Sequence, residues 1–395
     1  MADREPLTQK EMGQLFNNPI MKDQITGDQF VRDRNGEIRL RGDFLGEIDY
    51  ISLDEVVQEV KRTGKRVILN IGDSSTSGWN SDVLLFNERI KQEKGENFDP
   101  EQDAIFPIFT YKTYSDCLRD LVEDRFVVVN AGIPTHTSLN GLRRLKELVH
   151  SFDKAGISID YVTAYYGNND SVCNANLEEK NRRGLVGRVR DFLTSKKDVV
   201  TRTSPADYRK YMEDIVKYCR KKGISPILIE PAVPLYWEPG RRVKRESDAH
   251  DNGDESIQAV ANTRGGKKVL EFYCKALNLW GRANEFYESG DVERAFALYE
   301  EAKENDFITP RIKEKHLREL RDLAKQEGIS LVQIDIPRNK DDGKDGEAYF
   351  GDYCHPIERA NMLYAQEIAR TIRTLDMFRH DNDSSNLPTD TYTLY

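Results

Sequence analysis

No apolar run in this 395-residue chain approaches the ~20 residues that a membrane-spanning helix needs, which argues against a membrane span. The N-terminus, MADREPLTQKEMGQLF, carries charge throughout and lacks the apolar centre of a secretory signal, so the cytoplasm is the expected compartment. Cysteine is sparse and unpatterned. Cys117, Cys173, Cys219, Cys274 and Cys354 are odd in number and show no CxxC spacing. That disfavours a disulfide framework or a structural zinc site, and leaves reduced, mostly buried thiols as the expectation. Basic excess is missing as well. A formal net charge of −9 and a pI near 5.4 argue against nucleic acid or anionic lipid as the main partner.

What the chain does have is enough length for one large domain or two modest ones, with 38% hydrophobic and 32% charged residues. Five runs are nearly continuously apolar: RVILNIG (66–72), FVVVNAG (126–132), YVTAYYG (161–167), SPILIEP (225–231) and SLVQIDI (330–336). Such runs fit strands buried on both faces of a parallel sheet. Between and after them, YSDCLRDLVEDR, LNGLRRLKELVHSF, ADYRKYMEDIVKYCRKKG and RANMLYAQEIARTIRTL repeat apolar residues at threes and fours, the spacing of amphipathic helices. Alternation of this kind predicts a doubly wound α/β domain, with ligands bound beyond the carboxyl ends of the strands.

The domain is expected to span 61–380, with residues 1–60 as a peripheral segment and 381–395 as a polar tail. Two stretches break the alternation. Residues 238–267 are charged, glycine-rich and have little to bury, as in a mobile loop or lid. Residues 268–306 read as a helical hairpin turning at Ser289-Gly290-Asp291. Gly290, Asp291, Ala295, Tyr299 and Ala302 are similar to the second half of a tetratricopeptide repeat. One copy is too few for a stacked-repeat fold, so an insertion packed on the main domain is expected.

Polar residues gather at four element ends. Gly72-Asp73-Ser74 ends the first run, where glycine permits a sharp turn and a hydroxyl at the strand-to-helix corner could act as nucleophile; Ser75, Thr76 and Ser77 compete for that role. An N-cap serine is the plain alternative. Asn130-Ala131-Gly132 offers a glycine N–H that a ligand can approach closely, or simply a turn. Gly167-Asn168-Asn169-Asp170 offers a side-chain amide to an oxyanion, with the two asparagines competing for the role, or an Asn/Asp turn. Asp352 and His355, three apart before the last helix, could aim a carboxylate and an imidazole into one site. No third or fourth metal ligand clusters with them in sequence, which disfavours a metal pair. Each signal is weak alone, and their conjunction at strand ends in this order is the evidence.

Taken together, IGDSST, NAGIPTHTS, GNND and DYCHP resemble the four blocks of the SGNH (GDSL-type) hydrolase superfamily. The resemblance covers about 66–375, and with the alternation it makes a flavodoxin-like parallel five-stranded sheet, flanked by helices and carrying the hairpin insertion, the expected fold. It implies Ser74 as nucleophile, His355 as base and Asp352 as its orienter. Ser74 and Gly132 N–H groups and the Asn169 amide would form the oxyanion hole, which resolves the asparagine ambiguity toward Asn169. The second block of this family often has another glycine three residues after the first; here Thr135 stands there, followed by His136. Ser75 replaces the leucine of the eponymous motif, and His136 is expected to line the cleft or occupy a loop. The implied activity is a serine ester hydrolase working through a covalent acyl-enzyme, on a small-molecule or glycan acyl ester, with no cofactor or metal. Trp79, Tyr165, Tyr166, Tyr236 and Trp237 could frame a sugar-stacking cleft, or be packing. The alternatives are an O-acyltransferase on the same triad and a catalytically inactive partner-binding protein.

Overall fold

Why an uninterrupted apolar run becomes a buried strand is clearest in β3 (Arg66–Gly72), buried from its second residue to its last. Successive side chains leave a strand on opposite faces. Val67, Leu69 and Ile71 enter one apolar core and Ile68 enters another, so both faces need apolar residues. The structure, a computed structural model, describes residues 39–41, 50–78, 112–172, 201–240, 266–337 and 349–384.

Four further strands lie parallel to β3: β4 (Phe126–Asn130), β5 (Tyr161–Tyr165), β6 (Ser225–Ile229) and β7 (Ser330–Val332). Their order across the sheet is β4-β3-β5-β6-β7. Counted along the chain, that is second, first, third, fourth, fifth, the flavodoxin-like doubly wound order. The first apolar run is strand throughout, and each of the other four yields a strand at its start before the residues that follow build loops. Two short antiparallel strands, β1 (Arg39–Arg41) and β2 (Tyr50–Ser52), add to the β4 edge and make the sheet seven-stranded.

Helices cover both faces. α1 (Leu53–Thr63), α4 (Ser138–Lys154), α5 (Pro205–Lys221) and α8 (Glu314–Glu327) contribute to the core that holds Val67. On the other face lie α3 (Tyr114–Val122) and α9 (Glu358–Ser384). α2 (Ser74–Ser77) is a single turn at the end of β3. The sequence boundary at residue 60 falls inside α1. That helix opens with a capping box of Ser52 and Glu55, closes on Gly64 at φ 66°, and buries Leu53, Val56, Val57 and Val60. Its apolar face joins the core that holds Val67.

The insertion is a hairpin of α6 (Gly266–Glu288) and α7 (Val292–Asn305), turning at Gly290 with φ 87°. Ala283, Ala295, Phe296 and Tyr299 form its own small core. Most of the charged loop 238–267, residues 241–265, lies outside the described residues, as do Trp79 and residues 385–395 of the tail. Among the described residues, no helix is long and apolar enough to cross a membrane.

Candidate active site

Leaving β3, the chain must turn within one residue, and Gly72 makes that turn possible. A Cβ there would lie 1.8 Å from Thr76 Oγ1. Asp73 then caps α2, its Oδ1 accepting the Ser75 N–H at 2.9 Å. The four hydroxyls of the turn have separate partners. Ser74 Oγ lies 2.7 Å from His355 Nε2. Ser75 Oγ donates to the Cys354 carbonyl at 3.4 Å, Thr76 Oγ1 meets the Tyr114 hydroxyl at 3.3 Å, and Ser77 Oγ donates to the Ser74 carbonyl at 3.1 Å. Among the contacts described, the one to an imidazole is that of Ser74.

His355 reaches it from a tight loop after β7. The loop is closed by a Phe350–Pro356 bridge and a bond from the Gly351 N–H to the His355 carbonyl. Asp352 Oδ2 lies 2.6 Å from His355 Nδ1, while its Oδ1 accepts the N–H groups of Cys354 and His355, each at 2.9 Å. Three donors thus fix one carboxylate. Burial by itself would raise the Asp352 carboxyl, but the facing His355 and these hydrogen bonds hold it below the usual carboxylate range. Asp352 therefore stays charged and keeps the proton of His355 on Nδ1, leaving Nε2 to accept from Ser74.

The second and third blocks stand beside this pair. A Cβ on Gly132 would lie 2.5 Å from the Ser77 backbone N, so the loop after β4 packs directly on the back of α2 and needs glycine there. The Gly132 N–H donates to Asn130 Oδ1 at 3.0 Å, and Asn130 Nδ2 donates to the Thr76 carbonyl at 2.7 Å. Asn169 Nδ2 donates to Asp73 Oδ2 at 3.3 Å, whereas Asn168 turns away and accepts the Ile312 N–H at 3.0 Å. The structure thus gives the two asparagines different tasks. Asp170 accepts both the N–H and the hydroxyl of Ser138, tying the third block to the start of α4.

Asp73 and Asn130 entered the sequence reading only as members of the quoted blocks, with no role in the site. Burial pushes the Asp73 carboxyl up to about 6, against the lowering pull of the Ser75 N–H and of His355. The sequence also gave no sign of the polar ladder under the site. There Asn70 Nδ2 donates to Ser115 Oγ of α3 and the Thr163 hydroxyl donates to Asn70 Oδ1, all three buried, with Asn70 and Thr163 on strands read as apolar.

The described aromatic residues take the packing alternative that the sequence left open. Tyr165 and Tyr166 are buried, so they do not line an open sugar-stacking cleft. Tyr165 packs on the rings of Tyr114 and Tyr364, and Tyr166 fills the space that a side chain at Gly141 would need. Trp237 is buried too, and Tyr236 packs on the small core of the hairpin, its carbonyl accepting from Trp280 Nε1 at 2.9 Å. The third donor missing from the sequence reading of a metal pair is Cys354, whose sulfur comes within 4.8 Å of the Asp352 and His355 ligand atoms. Burial raises its thiol well above the ordinary range, with Asp352 and Asp73 adding to the effect. A neutral thiol, and an imidazole engaged at both nitrogens, suit a hydrogen-bonded triad better than a metal centre.

No family model matches the sequence, and no curated protein matches it. Solved structures similar to the chain include a protein described as lipolytic and of the G-D-S-L family from Desulfitobacterium hafniense DCB-2, at 12% identity and TM-score 0.34, covering 78% of this chain and 99% of that one. The psychrotrophic esterase EstA from Pseudoalteromonas sp. is 12% identical with TM-score 0.34, over 79% of this chain and 98% of its own. A catalytic mutant of an acetylxylan esterase from Geobacillus stearothermophilus is 14% identical with TM-score 0.34, over 77% and 93%. Likeness at this level carries no argument about activity, which rests on the geometry above.

Proposed function

We propose that the chain is an SGNH-type serine ester hydrolase, acting on a carbohydrate or small-molecule O-acyl ester. The observation that carries this reading is the continuous line from Asp352 Oδ2 through His355 to Ser74 Oγ, with steps of 2.6 and 2.7 Å. His355 Nε2 takes the Ser74 proton as Oγ bonds to the ester carbonyl carbon. The tetrahedral oxyanion draws on a hydrogen of the Asn169 amide, the other being held by Asp73, and on the Ser74 N–H. It takes the Gly132 N–H in competition with Asn130. Collapse breaks the bond to the alcohol, which leaves with the proton from His355, and an acyl-Ser74 remains. Water then repeats the sequence, its proton passing to His355, and releases the free acid and Ser74.

Intact-mass measurement after treatment with a fluorophosphonate probe tests the reading. One stoichiometric adduct is expected on the wild type and none on Ser74→Ala. A folded wild type that stays unlabelled and hydrolyses no ester in a panel of acyl sugars and small esters would overturn it. Acyl transfer to an added alcohol in preference to water would move the same triad to the transferase class.

A further inference from the structure

The helical hairpin looks like an appendage in sequence, yet the segment that leaves it lies against the turn carrying Asn169. Residues 306–313 join α7 to α8 and contain an ion pair between Asp306 and Arg311 at 2.8 Å, both side chains wholly buried. Asp306 Oδ1 accepts the N–H groups of Ile308 and Thr309, and Arg311 donates to the carbonyls of Pro234 and Trp237 beyond β6. Lys313 Nζ donates to the carbonyls of Lys303 and Asp306 at the end of α7. The segment is thus fastened to the hairpin on one side and to the loop after β6 on another.

Its third side holds residues 167–171. The Ile312 N–H donates to Asn168 Oδ1 at 3.0 Å, and the Lys313 N–H donates to Ser171 Oγ at 3.2 Å. Ser171 Oγ in turn donates to the Gly167 carbonyl at 2.8 Å. Gly167 has φ 139°, and Ile312 Cδ1 sits 2.2 Å from where its Cβ would be. Asn169, between these anchored residues, presents its amide to Asp73. A desolvated ion pair with these hydrogen bonds has one favoured geometry, and loss of either partner leaves a buried charge that moves its surroundings.

We infer that residues 306–313, locked by the Arg311–Asp306 pair, are the positioning element of the Asn169 amide, so that the hairpin insertion supports the oxyanion hole. This rests on the esterase reading above. The test uses full-length Arg311→Met and Asn168→Ala; the second removes only the acceptor for Ile312 and carries the experiment alone if the first does not fold. Backbone hydrogen exchange followed by mass spectrometry reads the contact without any need for activity. Protection of 167–171 is expected to fall about tenfold while that of β3 and β4 stays unchanged, and an unchanged 167–171 overturns the inference. Ester turnover gives the functional arm. Each variant is expected to lose about tenfold in kcat with KM changed less than about twofold, and to lose nothing further when combined with Asn169→Ala. Losses that simply multiply overturn the positioning role. A wild type without Ser74 adduct or turnover marks failure of the esterase reading instead, and the exchange arm still decides the contact.

Discussion

Thr135 takes φ 67°, a left-handed conformation that a β-branched side chain disfavours. It stands where the second block of the resembled family often has glycine, so the departure noted in the sequence has a conformational counterpart. Thr135→Gly is expected to raise stability by roughly 0.5–1 kcal/mol, the relieved strain exceeding the added freedom of the unfolded chain, and a melting curve checks it. Asp73 bears a different strain. Its carboxyl is raised from 3.8 to about 6, so the folded chain holds more protons there than the unfolded chain between those values. The cost of the buried charge is therefore full above pH 6 and gone below about 3.8. Asp73→Asn should stabilise the protein by on the order of 2–3 kcal/mol at pH 8 and by nothing near pH 3.5. The same change should lower kcat, because one amide oxygen cannot serve both the Ser75 N–H and the Asn169 amide. Denaturant titrations at the two pH values decide the stability part, and a variant less stable than wild type at pH 8 would contradict it.

Among elements, the contact between the loop after β4 and the single turn α2 sets the distance from Gly132 to Ser74, the nucleophile of the proposed reading. Gly132→Ala would push a methyl group onto the backbone of Ser77, which cannot give way as a flexible side chain could. A loss of about 1–3 kcal/mol is expected from the overpacking. Alanine keeps the N–H but the overpacking displaces it from the oxyanion of the proposed reading, and turnover should fall by about 10²–10³, the usual cost of one oxyanion donor. Full turnover in a folded variant would remove Gly132 from the oxyanion hole. A parallel measurement on Asn169→Ala should show a similar loss of kcat with little change in melting temperature.

For the molecule as a whole, one sheet separates two apolar cores and shares its strands with both. Leu145, in α4, and Ile368, in α9, are each fully buried on opposite faces. Leu145→Ala and Ile368→Ala should each cost about 2–5 kcal/mol and lower the same cooperative transition, because neither core can persist once the common strands are lost. Calorimetry that resolved two transitions, each shifted by one variant only, would show the faces to be independent.

The sequence by itself determined the parallel strands and the amphipathic helices. Continuous apolar runs such as RVILNIG bury on both faces, and spacings of three and four give a helix one apolar side, whatever the tertiary context. It also marked the hairpin turn, since Gly290 takes a positive φ. The polar blocks were legible as residue types placed at strand ends. The resemblance pointed to Ser74 among four adjacent hydroxyls, but only tertiary structure brings it to His355, since the two are separated by 281 positions in the chain. It decided that Asn168 anchors the return from the hairpin while Asn169 faces Asp73, and that Tyr165 and Tyr166 pack in the interior. It also set the apolar face of α1 against the core that holds Val67. Local sequence fixes backbone preference and which side of an element is apolar, whereas hydrogen-bond partners and burial depend on what the rest of the chain brings alongside.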